Sequence, residues 1–313
     1  MIRRNAWVLG LIALFAVLNV VTRIIQPNYG SGDFDSLVRA ALPYVFAVAA
    51  QVVVVIAGGI DLSVASMMAV CSVTAAVLMA GQSEAYAVVV VPFVLVVGLA
   101  LGALNGVLII VSRVPDIVVT LAMLFVLQGV ALLILPAPGG GAAAWLKGLI
   151  VGPILLPWLP KTLILIIFCL CAVWLPLKRS RLGLSLYAIG SDELAAFRSG
   201  IAVGRTRIAA YAIAGLFAAL GGLSLTMSTG IGAPIPGPYL LASVAAVVLG
   251  GVTLGGGRGG LLGPIVAVFV LRLVRTDLTL LAVDPNITTI VEGLIMVAVV
   301  MLGAWLARRG KAA

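Results

Sequence analysis

Ten apolar runs follow one another along this chain with little between them. They lie near residues 7–25, 40–57, 63–80, 86–112, 117–135, 161–177, 207–229, 240–254, 260–276 and 287–307. A helix needs about 20 apolar residues to cross the hydrocarbon core of a bilayer, and a backbone in lipid has to satisfy its own polar groups. The runs therefore predict an all-α polytopic membrane protein of about ten transmembrane helices, forming a single transmembrane domain over 1–313. Several runs are short or broken by glycine, which leaves their boundaries loose. Composition removes the soluble alternative: 63% of the residues are hydrophobic, only 9% are charged, and the mean hydropathy is +1.30. A soluble domain is about a quarter charged, and a globule built from this chain would have almost nothing polar to turn towards water.

Lysine and arginine set the expected orientation, because basic residues stay on the cytoplasmic side. Arg3 and Arg4 precede the first run. Lys178, Arg179, Arg181, Arg198, Arg205 and Arg207 crowd the connection at 178–206, and Arg308, Arg309 and Lys311 follow the last run. Both termini in the cytoplasm require an even number of spans. The basic connection requires six before it and four after, as the ten runs provide. The outward loops are then 26–39, 81–85, 136–160, 230–239 and 277–286. Segment 136–160, rich in Gly and Pro yet apolar, reads as an outer-face or re-entrant piece anchored by Trp145 and Trp158. The first run is long for a signal peptide and lacks a small-x-small cleavage site, so it reads as a retained signal anchor. The net charge of +9 is thus a topology signal, and no nucleic-acid partner is expected.

The interruptions carry the chemistry. Gly58, Gly59, Ile60, Asp61, Leu62 and Ser63 stand between two apolar runs. A carboxylate there is costly unless it faces a cavity, a partner or the interface, and the glycines permit a tight break. Two readings stay open: a pore-lining or gating element, or a turn in which Asp61 or Ser63 caps the next helix. The stretch VVVVIAGGIDLS resembles AAVVLGGVTLGG around Gly250 and Gly251, a local likeness that does not fit an inverted repeat. Between Gly190 and Gly200 a short amphipathic helix is expected, with Ser191 as its cap and Asp192 and Glu193 near its positive end. Ala195, Ala196 and Arg198 complete it. It is either a docking point for a soluble partner or a surface helix joining two spans.

Other features exclude chemistry. The chain has no histidine, which removes imidazole ligands and His-based catalysis. Cys71, Cys169 and Cys171 lack metal-ligand spacing and read as packing residues. No phosphate-binding G-x-x-x-x-G-K-[ST] loop occurs, so this chain is not expected to hydrolyse ATP. The GGGRGG stretch at 255–260 reads as a tight turn. No carboxylate pair or nucleophile–base set suggests an enzyme. Asn105, Thr120 and Gln128 are neutral polar groups inside apolar runs. They can exchange hydrogen bonds with sugar hydroxyls or glue helices together, the commoner role for any one of them.

The segment GGIDLSVAS resembles the GGIDLSVGS signature of the permease subunits of bacterial ABC importers for monosaccharides, the ribose-permease type. Further likenesses follow in order: Asn105 and Gly106; Arg113, Val114 and Pro115 before IVVTL; LYAIG with Glu193, Ala195, Ala196, Gly200 and Ile201; and AAVVLGGVTL with the glycines up to Gly260. The resemblance runs from about residue 50 to 265. It departs where the family usually has Gly (Ala65), Pro (Asp116), Arg (Phe197) and the acids of YELDAIAA (Leu240 and Ala242). Loss of both acids suggests a divergent subunit or one half of a heterodimer.

The resemblance implies an ABC importer permease fold and ATP-driven import of a monosaccharide across a bacterial inner membrane. Its implied partners are a separate ABC ATPase that uses the ATP, a periplasmic or extracellular sugar-binding protein, and a second permease copy or paralogue. It makes the loop with Ser191, Asp192, Glu193, Ala195, Ala196, Arg198 and Gly200 the ATPase-coupling element. Gly58, Gly59, Asp61, Ser63, Asn105, Thr120, Gln128, Gly250 and Gly251 become candidates for the gate or pathway. No cofactor or metal bound by this chain is expected. The competing class is an ion-coupled secondary transporter of a small polar solute, for which Asp61, Asp116 and Glu292 are the nearest candidate acids.

Overall fold

The computed structural model describes residues 2–235 and 237–309, and among them it is helical, with only two isolated bridges, Gly139 to Gly232 and Pro153 to Pro160. Lys311 and the side chains of Arg3, Arg4, Arg308 and Arg309 lie outside the described residues. The helices are α1 (Ile2–Ile25), α2 (Ser31–Ile56), α3 (Val64–Met79), α4 (Ala87–Ser112), α5 (Asp116–Ile134), α6 (Ala144–Gly148) and α7 (Lys161–Arg179). They continue with α8 (Arg181–Ser191), α9 (Glu193–Arg198), α10 (Val203–Thr229), α11 (Tyr239–Leu249), α12 (Leu262–Leu280) and α13 (Pro285–Arg309).

Each apolar run falls on a helix, and among the described residues length and composition qualify six of them to cross a membrane: α1, α2, α4, α5, α7 and α10. The 16 residues of α3 and the 11 of α11 reach about 24 and 16 Å. Helix α12 carries Arg272, Arg275 and Asp277.

Several boundaries correct the sequence reading. Helix α2 starts at Ser31 and takes in most of the loop expected at 26–39. Its polar first turns are supported by Asp33, which accepts from the Gly30 N–H at 2.8 Å, and by an Asp35–Arg39 ion pair at 3.1 Å one turn on. Helix α11 stops at Leu249, and α12 runs on to Leu280. Helix α8, read as loop, is N-capped by Ser180, whose hydroxyl accepts from the Gly183 N–H at 3.1 Å. Cys71 is buried as expected, whereas Cys171 is exposed on α7 and not a buried packing residue.

Helices α2, α3 and α10 form the centre, with α2 buried almost continuously from Leu37 to Ile56. Helix α4 lies along α10 through Gly98, Gly102 and Gly106, spaced four apart so that they share one face. A Cβ on Gly102 would run into the Tyr211 carbonyl and the Gly215 backbone. Small residues allow this approach, the device by which helices associate in lipid. The outer helices expose apolar side chains such as Val111, Leu133 and Phe168, a surface suited to acyl chains and not to water.

Connections collect at two ends. At one, segment 136–160 is pinned by Trp145, whose Nε1 donates to the Glu84 carbonyl at 2.9 Å, and by Trp158, whose ring lies 5.5 Å from the Arg23 guanidinium. Both tryptophans thus hold it through contacts within the chain. At the other end the glycine breaks meet α8 and α9.

Candidate functional site: the junction of the glycine breaks

Helix α2 ends at Gly58, whose φ of 85° few other residues adopt. The Gly58 N–H donates to Val55 at 2.9 Å and the Gly59 N–H to Val54 at 3.0 Å, a left-handed helix-ending turn. Helix α11 ends the same way: Gly251 has φ 81°, its N–H reaches Val248 at 2.9 Å, and the Val252 N–H reaches Val247 at 3.1 Å. The likeness of the two sequence stretches is therefore one turn used twice.

Beyond the turn, Asp61 is fully buried. Its Oδ1 accepts from the Ser63 N–H at 2.8 Å and the Ser63 hydroxyl at 2.7 Å, closing an Asx turn. Asn105 of α4 donates to the Ser63 hydroxyl oxygen at 2.7 Å. Neither Asp61 nor Ser63 gives α3 a side-chain cap, contrary to one of the two sequence readings: the serine stands at the N-cap position, but its hydroxyl is committed to Asp61. Asp61 Oδ2 and Asn105 Oδ1 are buried acceptors without a partner among the described residues. Thr120 of α5 donates towards the Ile60 carbonyl at 3.3 Å and more closely to Asp116, at 2.8 Å, which ties α5 to the break.

Asp116 opens α5, where a negative charge suits the positive helix end. Its Oδ2 accepts from the Tyr211 hydroxyl at 2.8 Å, while Oδ1 lies 4.0 Å from Arg207. Arg207 also holds Glu193 of α9 at 2.8 Å. Gly59 lies against this group, since a Cβ on it would meet the Asp116 carboxylate and, at 2.8 Å, the Tyr211 hydroxyl. A polar chain thus runs from α9 through Arg207 and Asp116 to the α2–α3 break.

Helix α9 differs from expectation at its start. Asp192 is the cap, accepting from the Ala195 N–H at 2.9 Å, whereas Ser191 ends α8 and donates to the Tyr187 carbonyl. Gly190 does not bound the helix but lies inside α8, against the Ile56 carbonyl and Gly257. A side chain there would part the two elements. Ala196 is buried and anchors α9, while Gly200, at φ 83°, turns the chain out of it. Ala195 and Arg198 are exposed, as are Leu194 and Phe197, at 57% and 67%. The GGGRGG stretch is a turn, as expected: Gly257 donates to the Ile56 carbonyl at 2.9 Å, and Gly256 packs on Gly58 and Gly190. Tyr187 donates to the Gly259 carbonyl at 3.0 Å, and burial raises its pKa, so it remains a donor.

A cavity of about 520 Å³ opens at this junction, lined by Gly58, Gly59, Arg113, Asp116 and Arg207 among others. Gly58, Gly59, Asp61, Ser63, Asn105 and Thr120 are therefore brought together. Gly250 and Gly251 are neighbours that face elsewhere, packing on Pro264 and on Trp7, whose Nε1 donates to the Leu249 carbonyl. Gln128 stands twelve residues further along α5, half-buried and remote from the junction. Sequence reading missed Arg207 and Tyr211 as members of the site. Their spacing of four on α10, which puts both on the Asp116 side, is the signal that was available.

Residues 32–300 match the family model described as branched-chain amino acid transport system / permease component. The chain belongs to this permease family. Among its relatives is the ribose import permease protein RbsC of Escherichia coli (strain K12), 31% identical over 95% of this chain and 94% of its own length. The autoinducer 2 import system permease protein LsrD of the same strain is 28% identical over 98% of this chain and 97% of its own. No solved structure matches the permease.

Proposed function

We propose that this permease is the membrane-spanning subunit of an ATP-driven, binding-protein-dependent importer of a monosaccharide. The observation that carries this reading is the junction itself: Arg207 contacts both an exposed short helix and the cavity at the α2–α3 break. An ATPase pushing on α9 would be felt at Gly59 through Arg207 and Asp116. The GGIDLS form and the likeness to a ribose permease favour a sugar within a family whose model is described by branched-chain amino acids.

Ten helices would cross the inner membrane of a bacterium as one domain over 1–313, with both termini in the cytoplasm. The short α3 and α11 are compatible with this because both are largely buried by neighbouring helices, where irregular backbone is tolerated at membrane depth. Arg113, Lys178, Arg179, Arg181, Arg198, Arg205, Arg207 and Arg258 all belong to connections or helix ends of the α8–α9 side, which the positive-inside rule makes cytoplasmic. A second copy or a paralogue would complete the pathway. ATP would be consumed by the separate ATPase, and a soluble binding protein would deliver the sugar at the opposite end. The three acids considered for ion coupling are engaged within the chain: Asp61 with Ser63, Asp116 with Tyr211 and Glu292 with Arg275.

The docking part is tested with Leu194→Glu and Phe197→Glu combined. Both side chains point outward, so the permease should fold and insert as before yet no longer co-purify with its ATPase. Undiminished co-purification would refute α9 as the docking helix.

A further inference from the structure

We infer that the solute carried by this permease bears a carboxylate, which Arg272 receives in the half of the bundle away from α9. This rests on the sugar-import reading above and names its substrate class: a sugar acid.

Helix α12 places Arg272, Arg275 and Asp277 within two turns, and charges inside spanning helices are costly enough that each needs a partner or a task. Asp277 is matched by Thr22 of α1, whose hydroxyl donates to it at 2.6 Å. Arg275 grips both oxygens of Glu292 on α13, at 3.0 and 3.2 Å. Arg272 is left over. Among the described residues no carboxylate pairs with it, and its Nε is buried without a hydrogen-bond partner. What holds it is the face of Tyr44, 4.9 Å from ring centroid to guanidinium, and Tyr44 is in turn packed on Tyr239 at 4.5 Å. Stacking of this kind orients a guanidinium while leaving its donor edge free for a planar anion.

The space beside Arg272 fits that use. A slot of about 30 Å³ is lined by Arg272, Tyr44, Ala242, Ala246 and Glu292 among others, room for a group the size of a carboxylate. The Glu292 charge is already answered by Arg275, so the slot is positive in balance. Ala242 of α11 lines the slot together with Arg272. Depth is also suitable: Arg272 lies eight residues before Leu280, the end of α12, about 12 Å along the helix. That is within reach of a solute arriving at the end opposite α9.

The test compares galacturonate with galactose, which differ only in the carboxylate, as additives to the purified full-length permease during thermal unfolding. Galacturonate at ten times its Kd should raise Tm by about 3 °C, while galactose at equal concentration should not. Arg272→Gln should lose the galacturonate shift. Ala242→Asp should raise the Tm of the free protein by pairing with Arg272, and should abolish the response to galacturonate. Equal shifts from both sugars, no shift from either, or a shift retained in Arg272→Gln would overturn the assignment. ATP-driven uptake of a neutral sugar would do so too, while leaving the importer reading in place.

Discussion

Gly102→Leu is expected to leave almost no folded permease. Extra side-chain volume in a packed interior ordinarily costs about 1–3 kcal/mol, because neighbouring side chains yield. At Gly102 nothing of that kind is available: the obstacles are the Tyr211 carbonyl and the Gly215 Cα and N, all backbone of α10. The α4–α10 contact would have to open along its length, separating Gly98 from Ala219 and Gly106 from Ile208 as well. Size-exclusion profiles and Tm of the detergent-purified protein measure this directly. Gly129→Leu on α5 is the control, since a Cβ there meets nothing within 4 Å, and its profile and Tm should match the parent chain. A monodisperse Gly102→Leu variant with unchanged Tm would show that α4 and α10 do not pack as described.

Arg207→Ala should uncouple ATP hydrolysis from transport. Arg207 pairs with both Glu193 on α9, at 2.8 Å, and Asp116 at the break, at 4.0 Å. Its exposed pair with Glu193 is worth little in stability, as surface ion pairs are, so the protein should fold. Its loss nevertheless removes the polar link between the docking helix and the residues against Gly59. Solute imported per ATP hydrolysed should fall about tenfold, the effect of losing one charge-assisted bond of ~1.4 kcal/mol from the coupled state. Binding of the ATPase should persist, since Leu194 and Phe197 are untouched. An unchanged ratio would mean that the stroke travels by another route, such as the backbone contact of Gly190 with Ile56.

Much of this architecture is legible in the sequence because lipid imposes a plain rule on backbone polar groups. Every apolar run lies on a helix. The ends of helices were harder to place. Ser31 to Arg39 of α2 are helical because of a capping acid and an ion pair, which hydropathy does not register. Helix α8 was hidden because Arg181 and the basic residues just before it, Lys178 and Arg179, read as a loop, although Leu182, Leu186 and Ile189 carry a helical period, and Leu186 and Ile189 are buried. At the junction, the turn at Gly58 and Gly59 was visible residue by residue. That Gly58, Gly190 and Gly256 touch was not, because no local pattern encodes contacts between such distant glycines. Asp116 stood out as a departure from the resemblance and as a candidate ion-coupling acid; its partner Tyr211 is what the structure adds.

The central claim, an importer driven by a separate ATPase, is tested most directly in proteoliposomes. The permease is reconstituted with its ATPase and binding protein, and uptake of radiolabelled ribose, galactose and galacturonate is followed. Uptake is predicted to require ATP inside the vesicles together with all three proteins, and to be indifferent to proton or sodium gradients. Accumulation by this chain alone, driven by an imposed ion gradient without ATP, would contradict the account.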